Sequence, residues 1–177
     1  MKPLKILIFV LLGLAILVFT IPLLAPNSYQ VERGISINRP QSEVFEYMRM
    51  FNNFDTWSPW SEMDPDMEVE ISGVDGEVGA EYYWKGNRDV GEGRMRITQI
   101  DPNKIHIALS FIEPFESSSP TEYRLSANQS GTDVSWYMEG EMSYPWNAIL
   151  LFMSMEEAIG KDFDRGLQKL KMQLEKR

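Results

Sequence analysis

The sequence predicts an α+β protein: an antiparallel sheet of about seven strands folded around a long C-terminal helix, preceded by one N-terminal transmembrane helix. Three observations carry that expectation. Between Trp146 and Glu175, apolar residues fall at Ile149, Phe152, Met153, Ile159, Phe163, Leu167, Leu170 and Leu174, spaced by three and four as on one amphipathic helix. Most of the chain before it alternates apolar with polar residues, the period of strands that cover one face and wet the other. The first 26 residues follow neither pattern and are almost wholly apolar. A sheet with one apolar face needs a cover, and the C-terminal helix is the simplest one available.

From Ile6 to Leu24 the chain reads ILIFVLLGLAILVFTIPLL, nineteen residues without a charge, enough for a helix to span a bilayer. A cleaved signal peptide has a shorter apolar core and small residues at its cleavage site, whereas Leu23-Leu24-Ala25-Pro26 puts proline there. The segment therefore reads as an uncleaved signal anchor. Lys2 and Lys5 on its N-terminal flank orient the amino terminus to the cytoplasm and the domain to the extracytoplasmic, periplasmic side of the membrane. Residues 1–26 are thus expected to be the membrane anchor and residues 27–177 one domain, large enough to bury a core.

That domain is acidic. Lys2 and Lys5 are the only charges before Pro26, so the formal charge of −9 for the chain becomes −11 from Asn27 onward. Nucleic acid is not an expected partner for such a surface. There is no cysteine, which excludes disulfides, thiolate nucleophiles and cysteine metal sites.

Tyr29 to Ile37 is the first strand, with Val31, Ile35 and Ile37 on one parity and Arg33 interrupting that side, its long side chain reaching for the strand's end. Asn38 to Glu43 is a helix start, with Pro40 in the first turn, and Val44, Phe45, Met48 and Phe51 form its buried stripe. A short helical or irregular piece through Phe54 to Trp60 is stopped by Pro59 and Pro65. Strands follow at Met67 to Ser72, Ala80 to Lys85, Gly93 to Ile100, Lys104 to Phe111, Thr121 to Leu125 and Thr132 to Ser143. Gly86-Asn87 and Asp101-Pro102-Asn103 punctuate them as turns. By parity Tyr82 and Trp84 point inward, as do Met95 and Ile97, then Ile105, Ile107, Leu109 and Phe111, then Val134, Trp136, Met138, Gly140 and Met142.

The order strand, short helices, six strands, long helix carries specific stretches within it. These are Val31-Glu32-Arg33 through Ile37-Asn38-Arg39-Pro40 with Val44-Phe45; Trp57-Ser58-Pro59-Trp60; Gly73 through Gly79 with Tyr82-Tyr83-Trp84; Gly91-Glu92-Gly93; Thr132-Asp133-Val134-Ser135-Trp136; and Phe163 to Lys171. In that order they resemble the helix-grip superfamily often called SRPBCC, which includes START lipid-transfer domains. The resemblance is nearest to its membrane-anchored bacterial members of the polyketide-cyclase/dehydrase-like type. The resemblance covers nearly all of Asn27 to Arg177. It implies a curved antiparallel sheet gripping the long helix, with a hydrophobic cavity between them.

A cavity of that kind nominates ligand-binding residues: Trp84, Met95, Phe111, Trp136, Met138 and Met142 on inward strand positions, and Phe152 on the helix stripe. Aromatic rings and flexible thioethers line apolar pockets well, though each of these residues also serves as ordinary core. Tyr144 and Glu156 are the polar groups expected to orient a ligand. Glu156 falls inside the apolar stripe, so it either faces the cavity, or sits at its mouth or pairs with an arginine such as Arg33, Arg94 or Arg96. Trp57 and Trp60 are expected to cover the open end of the sheet. Ordinary packing suits them, and a place at a lipid interface is the alternative.

No catalytic residue, metal site or cofactor is expected. His106, the only histidine, falls on the wet face by parity, so neither a histidine triad nor a multi-histidine metal site can be assembled. Gly91-Glu92-Gly93 and Gly73 through Gly79 lack the pattern of a phosphate loop. Asp64, Asp66 and Glu68 match no calcium loop. The expected function is a membrane-anchored binding domain for a hydrophobic small molecule or lipid. The alternatives are a cyclase/dehydrase-like enzyme on a lipid-like substrate, and an envelope protein-interaction module with a filled core.

Overall fold

The computed structural model describes residues 2–176. Helix α1, Lys2–Thr20, continues as a 3₁₀ turn, Ile21–Leu24, where Pro22 enters. The stretch Pro3–Leu24 has a mean hydropathy of 3.0 and is long and apolar enough to cross a membrane by length and composition.

The strands that follow are β1, Ser28–Ile37; β2, Glu68–Ser72; β3, Glu81–Lys85; β4, Glu92–Asp101; β5, Lys104–Glu113; β6, Ser117–Ala127; and β7, Thr132–Glu141. They form one antiparallel sheet in the order β1-β7-β6-β5-β4-β3-β2. Register shifts in the β4–β5 pair at Glu92/Gly93 and Ile97/Gln99 bend it, as bulges do. The sheet grips the C-terminal helix, as the sequence predicts. Between β1 and β2 lie α2, Gln41–Arg49, a 3₁₀ segment, Phe51–Thr56, and α3, Trp60–Met63. Strand β6 begins earlier than alternation suggests, because Pro120 lies inside it. It pairs with β5 from Ser117 but with β7 only from Thr121, so Pro120 occupies a locally free edge where a missing N–H is tolerated.

The C-terminal segment is the main correction. It is two pieces: a 3₁₀ segment, Trp146–Leu151, and helix α4, Met155–Glu175, whose start is capped by the Ser154 hydroxyl accepting from the Glu157 amide at 3.2 Å. Ile149, Phe152 and Met153 share the helical spacing yet lie outside α4 and are exposed. Within α4 the stripe holds, with Phe163, Leu167, Leu170 and Leu174 buried.

Helix α4 runs alongside β1 in the same direction, and polar contacts fix it at both ends. Arg33 does not reach the end of its strand. Midway along, its Nε donates to Asp164 Oδ2 at 3.2 Å, its Nη1 to Glu156 Oε1 at 3.0 Å and its Nη2 to the Glu156 carbonyl at 3.1 Å. The guanidinium lies where a side chain at Gly160 would be, so the helix accepts a glycine that costs about 1 kcal/mol in propensity. At the other end Lys171 donates to the Ser36 carbonyl at 2.8 Å and Arg39 to the Leu174 carbonyl at 2.9 Å.

Candidate ligand-binding cavity

A cavity of about 210 Å³ lies between sheet and helix. Its strand-borne walls are Tyr29, Tyr82, Trp84, Met95, Leu109, Phe111, Thr121, Trp136 and Met138. By the strand register these residues cluster toward the end where β1 begins and β7 ends, the end into which α1 leads. Ile159, Asp162 and Phe163 of α4, Phe54, Ser58 and Trp60 from the segment after α2, and the loop residues Met67 and Val90 complete the wall. The opposite half of the interior is filled by Ile37, Ile97, Ile105, Ile107, Leu125 and Val134 against Leu167, Leu170 and Leu174.

Aromatic rings form the floor. Trp136 stacks on Phe163 with centroids 4.1 Å apart and 9° between planes, while Trp57 meets it edge-on at 5.3 Å and Trp60 at 5.8 Å. Such rings bury much area and pack with preferred edge-to-face or offset geometry. A glycine at position 166 gives Trp136 room, since a side chain there would approach its ring at 3.1 Å. The indole N–H of Trp136 and of Trp57 and the hydroxyl of Tyr123 are buried without a hydrogen-bond partner in the protein. Trp136 is part of the cavity wall, while its N–H is closed off from that space.

Polar groups are sparse in the wall. Burial raises the Tyr29 phenol above its usual value, partly offset by a hydrogen bond with the Ser119 side chain. The phenol is neutral at physiological pH and lies over Gly140, where only a glycine leaves it space. Burial also raises the Tyr82 phenol, aided by the Asp55 carboxylate that accepts from it at 2.5 Å. Asp162, at the rim, accepts from Arg165 at 3.1 Å.

The structure brings Trp84, Met95, Phe111, Trp136 and Met138 together around the cavity. Met142, Tyr144, Phe152 and Glu156 lie elsewhere. Met142 follows the end of β7, its backbone N–H bonding to the Asn27 carbonyl. The Tyr144 hydroxyl donates to the Phe19 carbonyl at 3.1 Å. Phe152 is 81% exposed. Glu156 stands in the exposed first turn of α4, paired with Arg33. The reasons are local: β7 ends at Glu141, short of Met142 and Tyr144, and the break before Ser154 leaves Phe152 outside the helix and Glu156 in its exposed first turn.

Trp57 is fully buried and Trp60 lines the cavity, so both pack rather than meet lipid. Tyr29 shares the inward parity of Val31 and was legible as a wall residue. Met67 and Val90 come from loops, where no periodicity marks them.

Outside the cavity, the wet face of the sheet carries an ionic network. His106 sits between Asp101 Oδ2 at 2.9 Å and Glu122 Oε1 at 3.3 Å. Burial opposes ionisation of Glu122, but Arg124, His106 and Lys104 outweigh it and hold its carboxyl below the usual range. Asp101 is also lowered, first by the Gln99 hydrogen bond and then by His106. Among the described residues no group of three or more His, Asp or Glu side chains is placed to hold a metal ion.

Comparison with known proteins agrees with this geometry. The family model described as polyketide cyclase / dehydrase and lipid transport matches residues 28–175. No curated protein is matched by the sequence. Among solved structures, protein CV1439 from Chromobacterium violaceum is similar at 16% identity and a TM-score of 0.57, with 83% of this chain and 96% of that chain covered. The major latex-like protein 151 of Panax ginseng is similar at 11% identity and a TM-score of 0.60, over 84% of this chain and 98% of that one. The di-domain ARO/CYC StfQ of the steffimycin biosynthetic pathway gives 8% identity and a TM-score of 0.60, over 82% of this chain and 50% of that one. At these identities the likeness is one of fold.

Proposed function

Because this chain belongs to the polyketide cyclase / dehydrase and lipid transport family, we propose that it is a membrane-anchored binding domain for a hydrophobic small molecule or lipid. Residues 1–26 would be the anchor and 27–177 the binding domain. The observation that carries the reading is the apolar cavity of about 210 Å³ between sheet and helix. Pockets for drug-sized ligands are commonly about 300–1,000 Å³, so the occupant is a compact apolar molecule or one end of a longer chain. Met67, Met95 and Met138 in the wall supply side chains that re-pack around different shapes.

Affinity would come from apolar area leaving water, at about 25 cal/mol per Å² before ordering costs. Orientation would come from the Tyr29 hydroxyl. A ligand with one hydrogen-bond acceptor on an apolar body suits that wall. The position of Glu156, exposed and paired with Arg33, supports binding over acid–base chemistry by that carboxylate.

The test is native mass spectrometry with lipid extraction on the full-length protein purified from its own host. A stoichiometric apolar ligand is expected, and Leu109→Trp, which fills the cavity, should lower its occupancy at least tenfold. Empty protein whose mass and stability are unmoved by fatty acids, phospholipids and quinones would overturn the reading in favour of an interaction module.

A further inference from the structure

The segment between β7 and α4 is apolar, exposed and tethered to the end of α1. From Met142 to Met155 it contains no charged residue, in a chain of net charge −9. Trp146 is 76% exposed and Phe152 81%, and Ile149, Leu151 and Met153 are exposed beside them. A soluble surface rarely gathers this much apolar area without a use for it.

What it is tethered to identifies the occupant. Asn147, itself buried, donates from Nδ2 to the Pro22 carbonyl at 2.8 Å, the Ala25 carbonyl at 3.3 Å and Asn27 Oδ1 at 2.7 Å. The Tyr144 hydroxyl donates to the Phe19 carbonyl at 3.1 Å. These bonds fasten the segment to the last turns of the apolar stretch that ends at Leu24. Its exposed side chains are therefore continuous with the exposed Leu23 and Leu24 of that stretch.

We infer that residues 144–153 form a platform lying in the headgroup and acyl boundary of the bilayer leaflet from which α1 emerges. The inference rests on the reading of α1 as an anchor and deepens it. An indole and a phenyl ring on an uncharged segment suit that boundary, and the absence of charge keeps the acidic remainder of the domain from opposing it. The occupant is the lipid itself, of zwitterionic type, since the segment offers no cation for an anionic headgroup. The platform also sets direction. The cavity lies in the half of the sheet nearest α1, so a seated platform turns that half toward the membrane.

The absence of native cysteine makes the test direct. Full-length single-cysteine variants Leu12→Cys, Phe152→Cys and Gln129→Cys are spin-labelled and placed in phosphatidylcholine nanodiscs, and collisions with oxygen and with a water-soluble nickel chelate are measured. Gln129, in the exposed β6–β7 turn at the far end of the sheet, reports water. The expected result is that Leu12 reads as deep lipid, and that Phe152 shows at least a threefold lower nickel-to-oxygen collision ratio than Gln129. Leu12 in lipid with Phe152 matching Gln129 would overturn the platform and leave the anchor standing. Leu12 in water would overturn both.

Discussion

The two halves of the interior share one sheet and one helix, yet one is packed and the other is open. Away from α1, branched aliphatic residues from β1, β4, β5, β6 and β7 interlock with Leu167, Leu170 and Leu174. Toward α1, the same strands present rings and thioethers, β6 and β7 part beyond the Thr121–Met138 pair, and about 210 Å³ stays free. The difference teaches that the fold needs only one half of its interior for cohesion. The other half is available for binding because the first supplies stability.

The sharpest way to break that comparison uses the same substitution in each half. Leu170→Ala removes a side chain with 0% exposure from the packed half and should cost about 3–5 kcal/mol, the upper range for leucine truncation. Leu109→Ala removes one that already faces the cavity, where contacts are missing on one side, and should cost about 1–2 kcal/mol. Urea unfolding measures both. Equal losses would mean that the cavity half is as cohesive as the other.

Next in size is the junction between halves, where Arg33 of β1 stands opposite Trp136 in the register and crosses α4 at Gly160. A methyl group at Gly160 would strike the guanidinium. Overpacking of that kind costs about 1–3 kcal/mol and the gain in helix propensity returns up to about 1. Gly160→Ala should therefore lose up to about 2 kcal/mol, read from the unfolding midpoint, and adding Arg33→Ala should restore part of it. A stabilised Gly160→Ala variant would show that the helix and β1 are not held in register by this contact.

Stability should have two pH limits, an alkaline one to which the interior contributes and an acid one set on the wet face. Burial raises the phenols of Tyr82 and Tyr123, so the folded state binds their protons more tightly than the unfolded chain. Their contribution is complete below about pH 10 and is lost as pH rises above it, by at most about 1.4 kcal/mol per group per pH unit. On the wet face Glu122, Asp101 and Asp133 are lowered, so their contribution is complete above the ordinary carboxylate range and is lost as pH falls below about 4. Stability measured across pH should be flat between these limits. Tyr123→Phe, which removes a buried hydroxyl without a partner, should make the alkaline limb shallower and leave the acid limb unchanged.

Much of this architecture was legible in the sequence, and what was not has local causes. Period-2 alternation identified the strands and the inward side chains of the cavity wall, because a covered sheet imposes that period directly. Helical spacing located α4 from Ile159 onward, because its stripe is buried. The same spacing misled between Ile149 and Glu156. Apolar residues three and four apart there serve an exposed surface, and Pro145 and Ser154 reset the backbone. Glu156 was placed in the stripe by that extrapolation, with an arginine partner as the alternative; the structure takes the alternative and selects Arg33, 123 positions away, a choice that periodicity cannot make.

The smallest expected effect tests that last placement. The Arg33–Glu156 pair is only partly shielded, with side chains 23% and 63% exposed, and exposed pairs contribute less than about 1 kcal/mol. Arg33 also keeps Asp164 and the Glu156 carbonyl as partners, so Glu156→Gln leaves no buried charge behind. The variant should unfold within about 0.5 kcal/mol of the parent and retain the same ligand occupancy by native mass spectrometry. A severalfold loss of ligand with unchanged stability would instead extend the open half over the first turn of α4, and would return to Glu156 the orienting role that its exposure now argues against.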